Sequence, residues 1–208
     1  MTFKEIQDEV EVIVKDESLF DLIPSVINDI YAEVVNEARP PALKTPMSVA
    51  TVVGQSWLTL PSGVFGSLLF AGSATGGQLT VVGSLEALME EEPGLEEEGD
   101  LEKVAMEGGV LWYRKRPSVA TTFVTLMLRA PAKLVLDSST PDCIPEYLHR
   151  RCLVYGAAAA LWVILEEGID GEKVNSMNYS SRYEQGKLML LTWIGRQRKH
   201  VGRSIWSQ

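Results

Sequence analysis

LMLRAPAKLVLDSSTPDCIPEYLHRRCLVY, residues 126–155, holds the sharpest change of texture in this chain. An apolar, strand-like run stops at Pro131, because a proline gives the ladder no N–H. An acidic, hydroxyl-rich turn fills 137–142. Pro145 then stands where a helix can open, since a proline at the first helical position costs no hydrogen bond and Glu146 suits the positive end of the dipole. Four alanines at 157–160 follow, small enough to let another helix approach closely. The stretch reads as an elbow between a sheet region and a helical region, with no nucleophile, metal cage or phosphate loop in it.

Outward from the elbow, both ends of the chain read as helical. Thr2 and Glu5 form a capping box ahead of Phe3, Ile6, Val10 and Ile13 at helical spacing. A second helix carries Phe20, Ile23, Ile27, Ile30, Tyr31, Val34 and Ala38 on one stripe and ends at Arg39-Pro40-Pro41. A last helix over 172–199 has Tyr179, Tyr183, Leu190 and Ile194 on its stripe, widened by Leu188 and Leu191. Between these ends the texture is short and β-branched: 48–53, 55–60, 64–71, 78–82, 110–113 and 120–129 read as strands separated by glycine and proline turns. Ser84 caps a short helix. The pattern predicts an α+β fold, a helical bundle from the N- and C-terminal helices with an inserted antiparallel β region. The expected division is 1–45 with 143–200 for the bundle, 46–142 for the β region, and 201–208 as a flexible C-terminal tail.

The 208 residues carry a net charge of −9. This argues against a dedicated nucleic-acid binder, which needs a basic surface to displace counterions from phosphates. The charge is uneven. Residues 86–102 hold nine carboxylates and no base, the composition of a long solvated loop, whereas from Arg182 onward six Lys/Arg face only Glu184. Cys143 and Cys152 are too few for a secreted disulfide framework and read as reduced thiols. With His149 they match no zinc spacing, so no metal and no cofactor is expected. The start, Met-Thr-Phe-Lys-Glu, is unlike a signal peptide, and the apolar run at 156–165 is too short to cross a bilayer, so a soluble cytoplasmic protein is expected and no membrane partner.

Catalytic patterns are sparse. Residues 72–77 are glycine-rich but lack the lysine and helix start of a phosphate loop, and read as a hairpin turn. His149 follows Asp142 and Glu146 and could serve as a general base in a small hydrolase; a surface position on a helix is the plainer reading. His200 belongs to a basic tail. Trp57, Trp112, Trp162 and Trp193 fit core positions. Trp206, beside Arg203 and Ile205 in a glycine- and serine-flanked tail, fits an anchor for another surface.

Several strings in sequence order resemble the head–tail adaptor (connector or neck) proteins of tailed bacteriophages. Ile23, Ile27, Asn28 and Tyr31 resemble the family's Ile-x-x-x-Ile-Asn-x-x-Tyr helix, and Trp57-Leu-Thr-Leu-Pro61 its aromatic strand end. Ser84-Leu-Glu-Ala-Leu88, Leu111-Trp-Tyr with Pro117, the runs 126–134 and 144–149, and Tyr183 with Leu188 and Leu191 follow in order. The resemblance implies a non-enzymatic virion protein of the neck, waiting in the host cytoplasm before assembly. It implies a ring, typically of twelve subunits, between the portal protein and tail or neck proteins, through which DNA passes without sequence-specific contact. Within that frame Arg196, Arg198, Lys199, Arg203, Ile205 and Trp206 are the candidate portal-docking residues. A tail-terminator or head-completion protein is the nearest alternative, and a cellular scaffold module a more distant one.

Overall fold

The computed structural model describes residues 1–60, 67–73, 77–167 and 173–201, with backbone alone at 73 and 198–201. The chain divides into two units, Met1–Ala42 with Pro131–Gln208 and Leu43–Ala130.

In the first unit, α1 (Phe3–Val14) carries the expected capping box: Glu5 N–H donates to Thr2 Oγ1 at 3.3 Å, and Thr2 N–H to the Glu5 carboxylate at 2.8 Å. Phe3, Ile6, Val10 and Val14 are its buried face. A 3-10 turn (Glu17–Leu22), which takes Phe20, leads into α2 (Ile23–Ala38), where Ile23, Ile27, Ile30, Tyr31, Val34 and Val35 are buried. Each of the large aliphatic side chains contributes roughly 1.5–3 kcal/mol by leaving water.

The helix after the elbow does not begin as its proline suggested. Pro145 lies outside, capping a 3-10 turn (Glu146–Leu148), and a π turn (Arg150–Val154) follows before regular α4 (Tyr155–Leu165). Glu146–Leu165 is, by length and composition, long and apolar enough to cross a membrane, which corrects the shorter apolar run read from the sequence. In this fold that stretch is the central helix: α1, α2 and α5 (Val174–Val201) all pack on α4, which buries Ala157, Ala158, Ala159 and Leu161 and leaves Val163 and Ile164 outside. Glycines permit the closest approaches. A Cβ on Gly156 would lie 2.7 Å from Ile30 Cγ2 and 3.0 Å from the Tyr183 ring, and one on Gly186 would lie 2.8 Å from the Arg151 carbonyl oxygen in the π turn. Lys187 ties α5 to α2 through Glu37 at 3.1 Å, and the Tyr183 hydroxyl donates to Glu33 at 3.0 Å. At the α4–α5 connection the buried Glu166 carboxylate accepts from Asn175 N–H, Ser176 N–H and the Ser176 hydroxyl. The Ser176 hydroxyl, first among these, holds the Glu166 pKa below the usual carboxylate range. Gly168 and the Asp170-Gly171 turn lie outside the described residues.

The second unit is one seven-stranded sheet: β1 (Lys44–Ala50), β2 (Trp57–Thr59), β3 (Leu68–Ser73), β4 (Gly77–Val82), β5 (Lys103–Glu107), β6 (Val110–Tyr113) and β7 (Thr122–Leu128), in the order β1-β7-β3-β4-β5-β6-β2. It corrects the expected antiparallel insert in a helical bundle. β4 and β5 are parallel, with Thr80, Val81 and Val82 opposite Lys103, Val104 and Ala105, so the sheet is mixed. A parallel neighbour needs a crossover of a dozen residues or more, and residues 83–102 supply it. Ser84 caps α3 (Leu85–Met89) within that crossover, and Leu88 and Leu95 pack on Ala105 and Trp112.

The sheet is also curled into a half-barrel. Tyr113 on β6 and Phe123 on β7 stand four strand steps apart, about 19 Å in a flat sheet. Their ring centroids are 5.9 Å apart in edge-to-face geometry. The inner face therefore closes on itself, and Val49, Leu68, Leu79, Val104, Leu111 and Met127 join the same core. On edge strand β1 the neighbouring bonds Arg129 N–H to Leu43 carbonyl and Thr51 N–H to Thr121 carbonyl put odd positions toward β7. Pro46 consequently faces outward, where its missing N–H blunts the edge.

The two glycines make a prediction. Gly186→Ala should lower unfolding stability by about 1–3 kcal/mol through overpacking on the π turn. Gly195→Ala, at a helical site with open space for a Cβ, should be neutral or stabilising by up to about 1 kcal/mol. Denaturant midpoints of the two variants check the contrast.

Candidate assembly surface

Two polar side chains of α2, half-buried Asn28 and buried Tyr31, are committed to holding the returning chain. Asn28 does what a neighbouring strand would do: Leu134 N–H donates to Asn28 Oδ1 at 2.8 Å and Asn28 Nδ2 donates to the Leu134 carbonyl at 3.0 Å. Asn28 Nδ2 also reaches the Pro24 carbonyl at 2.9 Å. One turn later the Tyr31 hydroxyl donates to Asp142 Oδ1 at 2.9 Å and accepts from Cys143 N–H at 3.4 Å. Burial, first, and then the neighbouring Cys143 and Asp142 push the Tyr31 pKa well above its ordinary value, so the phenol stays a donor. The turn between these anchors feeds the start of α1, where Phe3 N–H donates to the Ser139 carbonyl at 2.7 Å and Lys4 N–H to the Asp137 carbonyl at 3.1 Å. Those are two of the orphan donors of a helix N-terminus.

His149 is 3% exposed, which corrects the surface position expected for it. Its Nε2 lies 2.8 Å from the Ile144 carbonyl and its Nδ1 3.2 Å from the Met1 nitrogen. A carbonyl only accepts, so Nε2 carries the proton, and Nδ1 accepts from Met1. Asp142 is bound to Tyr31 and Glu146 to Met1. Both ring nitrogens are used, and the geometry offers neither to a substrate. Burial pushes the imidazole pKa below its ordinary value. Cys143 and Cys152 are both buried, and burial pushes the Cys152 thiol up to about 12. Among the described residues no cluster of His, Cys, Asp and Glu is placed to hold a metal ion.

The acidic run is not a free loop. Part of it is α3, and the rest is braced against bases on β5 and beyond β6. Glu91 pairs with Lys103, Glu102 with Arg114 at 3.3 Å and Lys115 at 3.2 Å, Glu97 with Lys115 at 3.3 Å, and Glu96 with Arg116 at 3.3 Å. Backbone bonds between Arg116 and residues 97 and 99 fix the same segment. The bases sit outside the run, in 103–116, and a window confined to 86–102 does not contain them.

The tryptophans also depart from the core positions expected. Trp57 is 41% exposed, Trp112 packs at the edge of the α3 cluster, and Trp162 and Trp193 are half-buried. Trp193 lines an open groove of about 360 Å³ with Tyr147, Leu188, Met189, Thr192 and Arg196. Leu188 is 63% exposed and Leu191 is exposed too, so they do not widen the buried stripe of Tyr183, Leu190 and Ile194. Of the docking residues expected from the sequence, Arg196 is exposed on the groove wall. Arg198 and Lys199 belong to the last turn of α5, but their side chains lie outside the described residues, as do Arg203, Ile205 and Trp206 entirely.

Polar groups are spent on the fold, and large apolar side chains stay outside, among them Met177, Leu188, Met189 and Leu191 on α5, Val12 on α1 and Val135 and Leu136 in the returning chain. A family model described as SU10 adaptor protein matches residues 1–203, and the chain belongs to that family, consistent with a phage head–tail adaptor. Adaptors of this kind are structural components of the virion that interact with other phage head and tail proteins. No curated protein matches the chain.

Two predictions follow from the buried polar groups. Asn28→Ala strands a buried N–H and carbonyl at Leu134, and should cost about 2–4 kcal/mol, against about 1–2 kcal/mol for Tyr31→Phe. Chemical denaturation measures both. For His149 the folded pKa is depressed, so the unfolded chain takes up the proton first. The stability it leaves intact is full above the ordinary imidazole value of about 6.5 and is lost as pH falls below it. Unfolding free energy measured between pH 8 and pH 5 should therefore decline toward the acid side, less steeply in His149→Gln.

Proposed function

We propose that this protein is a head–tail adaptor ring subunit that docks beneath the portal and continues the DNA channel toward the tail. The observation that carries the reading is the match to an adaptor family over residues 1–203 of the 208-residue chain. The charge distribution supports it. The chain as a whole is acidic at −9, which keeps a channel from gripping DNA by like-charge repulsion. Its basic end is local, and residues after Glu184 include no carboxylate side chain. Arg196, Arg198, Lys199, Arg203, Ile205 and Trp206 form the proposed portal-docking segment, where cations and one aromatic anchor would meet an acidic, pocketed surface. A ring of twelve subunits in the neck completes the proposal, with the protein held in the host cytoplasm until assembly.

Deleting residues 202–208 should reduce capture by immobilised portal at least about tenfold, the loss of one good anchor, with the melting temperature unchanged. Capture equal to that of the full chain would remove the docking segment from the proposal. Mass measurement of the portal complex should give twelve copies, whereas six would favour the tail-terminator reading.

A further inference from the structure

We propose that the groove on α5 receives the exposed face of α1 from a second copy of this chain, making a head-to-tail contact between neighbouring subunits. The groove has the composition of an interface centre: Tyr147, Leu188, Met189 and Trp193, with Arg196 on its wall. Tyr147 and Leu188 are 64% and 63% exposed, an expensive arrangement for a surface that stays in water. An occupant needs an apolar knob flanked by carboxylates.

The chain supplies one. Val12, on α1, is 68% exposed, with Glu5 and Asp8 exposed before it and Glu11 beside it; Lys4 pairs with Asp8 at 2.9 Å, and among the described residues Lys15 is the one exposed cation on the turn after Val12. The wider charges agree: residues 1–22 hold seven carboxylates against two lysines, and the chain from Arg182 onward holds six Lys/Arg against one carboxylate. Opposite fields of this kind steer encounter and set register. Position within the unit agrees as well. Both α1 and α5 pack on the central α4, which stands between them, so donor and acceptor are different faces of one body. Such a contact is heterologous. It repeats from copy to copy and closes as a ring when the rotation permits, rather than stopping at a symmetric pair. It does not depend on the portal contact.

Cysteine cross-linking tests it. The native Cys143 and Cys152 are buried and do not compete for a maleimide. Val12→Cys and Leu188→Cys proteins, concentrated and treated with a short bismaleimide, should give a covalent dimer in the mixture and little in either alone. The double variant should give a ladder beyond the dimer. Adding Asp8→Lys and Glu11→Lys to the Val12→Cys protein should cut the mixed adduct about tenfold. Deleting 202–208 should leave it in place, which separates this contact from portal docking. Absence of the mixed adduct, or Leu188→Cys protein dimerising as readily by itself, overturns the proposal.

Discussion

One carboxamide holds the helical unit closed on the chain that re-enters it. When the backbone leaves the sheet at Ala130 it has no strand to pair with, yet Leu134 is buried and its N–H and carbonyl both need partners. Asn28 provides both, from a fixed position on α2, and Tyr31 repeats the service one turn on at Asp142 and Cys143. With these anchors in place, the turn at 137–139 presents its carbonyls to the first amides of α1, and His149 closes on Ile144. Remove the carboxamide and each later contact loses the geometry it relies on.

That economy bears on function. Tyr31, Asp142, His149, Glu166 and Ser176 are groups that elsewhere do chemistry, and here each is occupied by a structural hydrogen bond. Large side chains on α5 and α1, by contrast, are among those the fold leaves outside. The half-barrel is the second unit; Pro46 blunts its β1 edge, and four of the nine carboxylates of its acidic crossover, Glu91, Glu96, Glu97 and Glu102, are paired with Lys103, Arg114, Lys115 and Arg116.

Local signals in the sequence carried over well where one element decides the outcome. The Thr2/Glu5 box, the α2 stripe and the Ser84 cap all depend on residues a few positions apart. Features set by distant partners did not. Nothing in 78–82 or 103–107 says that these strands run parallel, because the decision is made by a crossover that packs Leu88 and Leu95 on the outer face. The curl depends on Tyr113 meeting Phe123 across the sheet, and the burial of His149 on a carbonyl five residues back and a chain end 148 residues away. The Asn28-x-x-Tyr31 pair was visible as a motif, but its role needed Leu134 and Asp142 to be brought alongside. The groove was hidden for a related reason. Leu188 and Leu191 fit an apolar stripe at 3.6 spacing, and only the packing of α5 on α4 settles which side of that stripe faces in.

Native-state hydrogen exchange at the Leu134 amide tests the central role of Asn28 most directly. The account predicts that this amide exchanges only through global unfolding in the wild type, with protection equal to that of the α4 core, and that it drops to local opening in Asn28→Ala while α4 stays protected. Rapid exchange at Leu134 in the wild type, at the rate of an exposed loop, would contradict it.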